Sequence, residues 1–256
     1  MAGTGTCSQL PWPPPRSSPE SNGNFSVWAT VHSDKAEWTA SPSPSVDRKR
    51  FELWGPPEAG RVTSLVRYSP DSTFNSHGHP DGEEILVLEG TFSDEHGSYP
   101  AGTFVLNPEG FVHAPFSKGG CSLFVKLRQF GGLGRDHLSV DTSSPDADWV
   151  PAGSAGIVHT LDLYDDPNHP EKILLARFPR GSCLPISTIG WGGVKEARGL
   201  VEVFVVEGAC TWGAAGELRK YSWARTTADQ AASTQIENGS GDTLVYIKYG
   251  HQPPNA

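Results

Sequence analysis

The chain has 256 residues, 20 basic against 29 acidic side chains for a formal charge of −9, and 36% hydrophobic residues. The acidic balance argues against a nucleic-acid partner, which calls for a basic patch, and no apolar run approaches the roughly 18–20 residues that span a membrane. The 29 glycines and 22 prolines suit many short strands joined by turns better than a helical bundle.

Residues 1–25 hold five prolines and almost no aliphatic side chains, too little apolar area to offset the entropy of ordering, and read as a disordered tail. With no apolar leader segment in that stretch, a cytoplasmic location is expected. An N-terminal arm follows over 26–45, ending in the irregular SPSPS run at 41–45. A first β-rich domain spans 46–132, with strands expected at Arg61–Tyr68, Glu84–Leu88, Gly102–Leu106 and Ser122–Leu127. Residues 133–160 lose the β-pattern and read as a crossover linker. A second β-rich domain at 161–252 has strands expected at Ile173–Phe178, Val201–Val206 and Thr243–Tyr249.

The two β-rich series read as copies. ARFPRGS at 176–182 matches VRYSPDS at 66–72, EVFVVEG at 202–208 matches EILVLEG at 84–90, and DTLVYIKYG at 242–250 matches CSLFVKLRQ at 121–129. The offset grows along the chain, which places an insertion in the second copy around Ile189–Gly199. A repeat of this length indicates duplicated β-domains rather than a solenoid. Along Glu83–Glu89 both alternating faces carry aliphatic residues, so this strand is expected to be covered on both sides, by a barrel interior and by a second sheet. Glu84 faces away from Glu83, as a salt-bridge or surface residue. Cys7, Cys121, Cys183 and Cys210 form no CxxC pair and are expected to be buried reduced thiols.

The segment His77-Gly-His79-Pro-Asp-Gly-Glu83 carries the chemistry. Histidines at i and i+2 on a strand point to one side, and an antiparallel return after the Pro-Asp-Gly turn brings Glu83 beside them. His113, after Asn107-Pro-Glu-Gly-Phe-Val, offers a fourth ligand. Three neutral imidazoles and one carboxylate suit zinc, iron, manganese, nickel or copper, whereas calcium prefers an all-oxygen shell. Because ligating imidazoles must be neutral, affinity is expected to fall as pH drops through the ordinary histidine range, about 6.5. His32, His96, His137, His159, His169 and His251 have no paired ligand in sequence and read as solvated or hydrogen-bonded. Phe74, Phe104 and Phe111 flank the ligands, with core packing as their expected role.

His77-x-His79-x3-Glu83-x6-Gly90 and Pro108-x-Gly110-x2-His113 match the two signatures of the cupin superfamily, and residues 79–115 closely resemble ChrR-type cupins, with similarity running on through 120–130. The resemblance implies an all-β chain of two double-stranded β-helix (jelly-roll) domains in tandem. It also implies one divalent transition metal, Fe(II) or Zn(II) first and Mn or Ni next, held in the first barrel by His77, His79, Glu83 and His113. In the second copy these positions become Ser187, Ile189, Val201 and Gln235, so that barrel should be metal-free. ChrR-type cupins are similar to dioxygenases that act on small diketones and hydroxyketones, which implies a metal-dependent oxidoreductase with a small molecule in the first barrel. The alternative is a non-catalytic zinc-binding sensor or small-ligand scaffold. Anti-sigma activity is not expected, because residues 1–45 contain no HxxxCxxC motif. A homodimer, with no nucleic-acid or membrane partner, completes the expectation, and no catalytic residue beyond the ligands is assigned.

Overall fold

Alternation along the strands sets the architecture. In the computed structural model, which describes residues 21–153, 155–189, 199–239 and 241–254, five long strands build the first main sheet. They are β1 (Val46–Trp54), β2 (Arg61–Tyr68), β3 (Glu83–Ser93), β4 (Thr103–Asn107) and β5 (Cys121–Leu127). Their order is β4-β3-β5-β2-β1, all antiparallel. The second copy supplies β6 (Val158–Asp165), β7 (Lys172–Phe178), β8 (Leu200–Glu207), β9 (Trp223–Thr227) and β10 (Thr243–His251), ordered β9-β8-β10-β7-β6. Each main sheet folds against shorter strands to close a jelly roll, so the chain is two such barrels in tandem. Among the described residues, no helix is long and apolar enough to cross a membrane.

Both faces of each main sheet are covered, as the Glu83–Glu89 pattern predicts. Ile85, Val87, Val105, Leu123 and Val125 turn into the first barrel. Leu86, Phe104, Leu106 and Phe124 turn the other way, onto Leu161, Ile173, Leu175, Phe204 and Tyr246 of the second barrel. Phe124 and Phe204 stack at the centre of this layer, ring centroids 4.0 Å apart and 9° from parallel. Each phenylalanine so buried contributes about 1.5–3 kcal/mol relative to exposure.

Gly90 shows why the repeat preserves a glycine. Its φ is +72°, and a Cβ there would sit 2.1 Å from the Gly120 carbonyl oxygen. Its counterpart Gly208 has φ +79° and faces the Asp242 carbonyl in the same way. A side chain at either position would break the bend between the two sheets of its barrel.

Ionic groups rim the apolar layer, and each carboxylate meets a cation from the opposite barrel. Glu84 pairs with Lys248 at 2.7 Å, Glu52 with Arg225 at 2.6 Å, and Glu202 with Lys126. All six side chains are 2% exposed or less. Glu84 is thus a buried ion-pair residue. His251, from β10, lies 2.7 Å from Glu202, and burial drives its pKa down to about 3 despite that carboxylate. The folded state therefore holds His251 neutral, while the unfolded chain protonates it below about 6.5. Stability from this group is full above the unfolded value and lost as pH falls toward the folded one, by up to about 1.4 kcal/mol per pH unit. The urea midpoint of metal-free protein is expected to fall between pH 7 and pH 5, and His251→Gln should flatten that dependence. An equally steep fall in the variant would contradict the assignment.

The structure departs from the sequence reading in three places, at residues 21–25, in the crossover and at Cys183. Residues 1–20 of the expected tail lie outside the described residues, but 21–25 are packed. Ser21 bridges to Leu53, Asn22 donates to the Phe51 carbonyl at 2.6 Å, and buried Arg225 donates to the carbonyls of Asn22 and Asn24. A buried guanidinium needs acceptors, and this segment supplies them although it has little apolar area. The arm, unassigned by sequence to either domain, touches both: Ala29–Val31 pairs with β9, Trp28 meets Trp212 of the second barrel at 4.7 Å, and Thr39–Ala40 pairs with β1. The crossover contains strands, Leu138–Asp141 on β4 and Val150–Ala152 on β6, so each end extends a sheet. Cys121 and Cys210 are buried free thiols, but Cys183 is exposed. The expected insertion falls largely on 190–198, outside the described residues.

Candidate metal centre

Two short strands carry the histidines. His77–Gly78 pairs antiparallel with Val112–His113, which sets His77 directly opposite His113. After Gly78 the backbone of His79 donates to Phe111 O, then turns through Pro80 and Asp81, whose φ is +58°, to close a Gly82 N to His79 O bond. This is a type II arrangement, with proline fixing the second position and a left-handed third. It delivers Glu83 to the start of β3, opposite Asn107 on β4.

The three expected histidines converge, and Glu83 lies beside two of them. One nitrogen from each of His77, His79 and His113 falls within 4.8 Å of the others. His79 Nε2 and His113 Nε2 are 2.9 Å apart, and Glu83 Oε2 lies 3.3 Å and 3.5 Å from them. Two ligands about 2.1 Å from one ion are separated by about 3.0 Å at a right angle and about 3.4 Å at the tetrahedral angle. The observed spacings fall at those values, so the donor set fits a first-row divalent ion. His79, Glu83 and His113 are buried, and His77 is half-buried at the mouth.

The surroundings fix tautomers and charge. His113 Nδ1 lies 3.0 Å from the fully buried Asp94 carboxylate, and His77 Nδ1 lies 2.8 Å from the Asn75 carbonyl. Donation from both Nδ1 atoms leaves Nε2 of each ring as a lone pair, the form a metal requires. Burial, then the charges of His77 and Arg128, lower His79 to about 3, so at this ligand a proton competes far less than at an exposed imidazole. Burial pushes the Glu83 carboxyl up, against His113 and a 2.9 Å hydrogen bond from Asn107 Nδ2. Asn107 Oδ1 in turn lies 2.9 Å from His137 Nδ1, and the His137 ring stacks on Phe111 at 5.0 Å.

Asp94, Asn107 and His137 are the residues sequence reasoning missed. They come from a turn, a strand end and the crossover, and nothing in their spacing announces them. Asp94→Asn should weaken metal binding by about 10–100-fold while leaving the barrel folded. Competition with a chromogenic chelator checks this, and affinity within about twofold of the parent would contradict it.

An apolar cavity of about 100 Å³ begins at His77, His79, Glu83 and His113 and runs into the barrel between Val62, Ile85 and Leu123. A vestibule of about 220 Å³ adjoins it, sharing Arg48, Val62, Phe74, His77, His79 and Leu127. Phe74 therefore lines the cavity. Phe104 packs between the barrels, and Phe111 packs against His113 at 5.7 Å.

In the second barrel Ile189 and Val201 belong to a continuous apolar core with Val203, Trp212 and Ile247, whereas Ser187 and Gln235 are exposed. Among the described residues, no group of three potential metal ligands occurs there. A groove of about 590 Å³ bordered by Ser187 and Gln235 is open to solvent and polar, unlike the enclosed cavity of the first barrel.

Comparison with known proteins agrees with this picture. Residues 27–131 match the family described as the ChrR Cupin-like domain, a range that takes in the first barrel. No curated protein matches the sequence. Among solved structures, a Pseudomonas aeruginosa protein provisionally named as glyoxylate-induced is similar at 11% identity and a TM-score of 0.67, with 90% of each chain covered. The pirin YhhW of Escherichia coli, in complex with nickel(II), is similar at 16% identity and a TM-score of 0.61, covering 89% of this chain and 100% of that one. A Nostoc punctiforme protein provisionally named as a dioxygenase gives 12% identity and a TM-score of 0.61, covering 91% and 85%. At these identities the likeness is one of fold, and it extends over both barrels.

Proposed function

We propose that the first barrel is the active site of a metal-dependent oxidoreductase of the dioxygenase kind, acting on a small diketone or hydroxyketone. One observation carries this reading: three imidazoles converge, with a carboxylate beside two of them, at the end of a largely apolar cavity, in a grouping that suits one divalent ion. His77, His79, Glu83 and His113 would hold the ion, Fe(II) in the first instance. When bound it supplies Lewis acidity and, as iron, one-electron chemistry with dioxygen.

The chain's own groups do the remainder. Asp94 and Asn107 hold His113 and Glu83 in place. Val62, Val66, Leu123 and Val125 exclude water from the cavity and confine a ligand beside the histidines. The nickel-bound pirin and the provisional dioxygenase support the reading only as proteins of similar fold.

Oxygen uptake tests the proposal. Protein purified without oxygen and loaded with one iron per chain is expected to consume dioxygen when acetylacetone or a related small dicarbonyl is added, and not otherwise. One tightly held zinc per native chain, with no uptake after iron loading, would overturn catalysis. It would favour a four-coordinate binding site, which the 3.3–3.5 Å carboxylate spacings also fit.

A further inference from the structure

Most of the cavity wall is hydrocarbon, and its polar side chains outside the ligand set are concentrated on β1 and β2. Along β2 the inward positions read Val62, Ser64, Val66, Tyr68. Arg48 on β1 is the register partner of Val66. Ser64 and Tyr68 stand two residues to either side of Val66, so each lies diagonally across from Arg48, about 7–8 Å away at the backbone, while the two are about 13 Å from each other along the strand.

These side chains have hydrogen-bonding capacity that the protein does not use. Ser64 is 2% exposed, and its hydroxyl has no hydrogen-bond partner among the described residues. Arg48 Nε is buried and likewise without one. The Tyr68 phenol, 8% exposed, makes no hydrogen bond among the described residues, and its ring meets Phe92 edge-on at 5.9 Å. Leaving such groups unmade costs about 1–3 kcal/mol each. An apolar barrel that tolerates two of them on one wall, with the Tyr68 phenol beside them, is arranged for something that enters.

Charge gives the sign of that ligand. Arg48, which lines the wall, shares the single carboxylate of Glu58 with Arg50, so Glu58 does not neutralise both arginines. A divalent ion on three neutral imidazoles and Glu83 would add a further net positive charge. Burial, and then the nearby Glu83 charge, push the Tyr68 phenol above its usual range and keep it a donor.

The second barrel supplies an internal contrast. In the repeat alignment Ser64 and Tyr68 become Leu174 and Phe178, and the register partner of Ala176, which replaces Val66, is Thr160 where the first barrel has Arg48. Leu174 and Phe178 are buried in the apolar core of that barrel. The copy without metal ligands is also the copy without these polar groups.

We infer that Arg48, Ser64 and Tyr68 form a carboxylate-recognition wall, so that the small dicarbonyl taken by this site carries an acid group: a short-chain keto acid. The inference rests on the metal-site reading above and narrows its substrate class. Size agrees: a cavity of 150 Å³ accommodates benzene, so about 100 Å³ plus the vestibule suits a body of roughly five to seven heavy atoms.

Acetoacetate and acetylacetone share one skeleton and differ by a carboxylate for a methyl ketone, which makes them the test pair. Full-length protein loaded with zinc, which is redox-inert, is titrated calorimetrically with each, and zinc per chain is measured in the same samples. Acetoacetate is expected to bind at least about tenfold tighter. Arg48→Met should erase that preference and Arg48→Lys restore part of it. Ser64→Ala and Tyr68→Phe, the smallest changes, should each weaken acetoacetate by about 3–10-fold and leave acetylacetone unchanged. Equal affinities, or a preference that survives Arg48→Met, with one zinc per chain would overturn the wall while leaving the metal site standing. Protein that retains no zinc would instead overturn the metal reading; an Arg48-dependent preference for acetoacetate in that protein would still support the wall.

Discussion

His77→Ala protein is expected to bind less than about one tenth of an ion per chain under conditions where the parent binds one, because an inner ligand is worth more than the 10–100-fold of an outer-shell partner. His77 is the suitable ligand to remove. It is half-buried at the cavity mouth, on a two-residue strand, while His79, Glu83 and His113 are each below 10% exposed. Truncating it opens the site to solvent without leaving a hole in the barrel core, so the thermal transition of the metal-free variant should match that of the metal-free parent. Gln235→Ala, at the corresponding place of the His113 position in the second barrel, is the matched control and should keep full metal content. Elemental analysis of the dialysed proteins reads both. Full occupancy in His77→Ala would place the ion elsewhere, and loss in Gln235→Ala would break the repeat alignment.

Glu202→Ala is expected to cost about 3–5 kcal/mol of folding stability, because it strands the buried Lys126 cation rather than removing a surface contact. Glu202 receives Lys126 from the first barrel and Trp223 Nε1 at 2.8 Å, and His251 lies 2.7 Å away. Burial alone would raise its pKa, but Lys126 and His251 hold it well below the carboxylate range. Without it, Lys126 would face Lys248 in a fully buried setting with only Thr63 Oγ1, at 3.0 Å, as its remaining direct acceptor. Against a typical total of about 5–15 kcal/mol, such a loss should move the urea midpoint by a large fraction of its value. The deficit should shrink as pH rises, since Lys126 can then shed its proton. A loss below about 1 kcal/mol, typical of an exposed ion pair, would show that the interface is wetter than its packing indicates.

The grouping of the candidate ligands His77, His79 and Glu83 was legible because it rests on local devices: alternation puts His77 and His79 on one side, and the turn at Pro80–Gly82 brings Glu83 back. The face-to-face packing of the two barrels was legible for a similar reason, since a strand aliphatic on both faces must be covered twice. The supporting shell was not legible. Asp94 reaches His113, and Asn107 reaches Glu83 and His137, only after separate loops have closed, and no period in the sequence links them. Glu84 was placed on the correct face, but its burial depends on Lys248, 164 residues away. Residues 21–25 read as disordered by composition because their order comes from Arg225, a single buried guanidinium in the other barrel. Ser64 and Tyr68 could be assigned to the inward face from alternation alone, but their meaning appears only once Arg48 is known to lie between them.

X-ray absorption at the metal edge of the native protein tests the central claim most directly. The account predicts one first-row ion per chain with three imidazoles and one carboxylate oxygen, bonded at about 2.0–2.2 Å. Fewer than three imidazoles, a sulfur ligand, or no bound ion would contradict it.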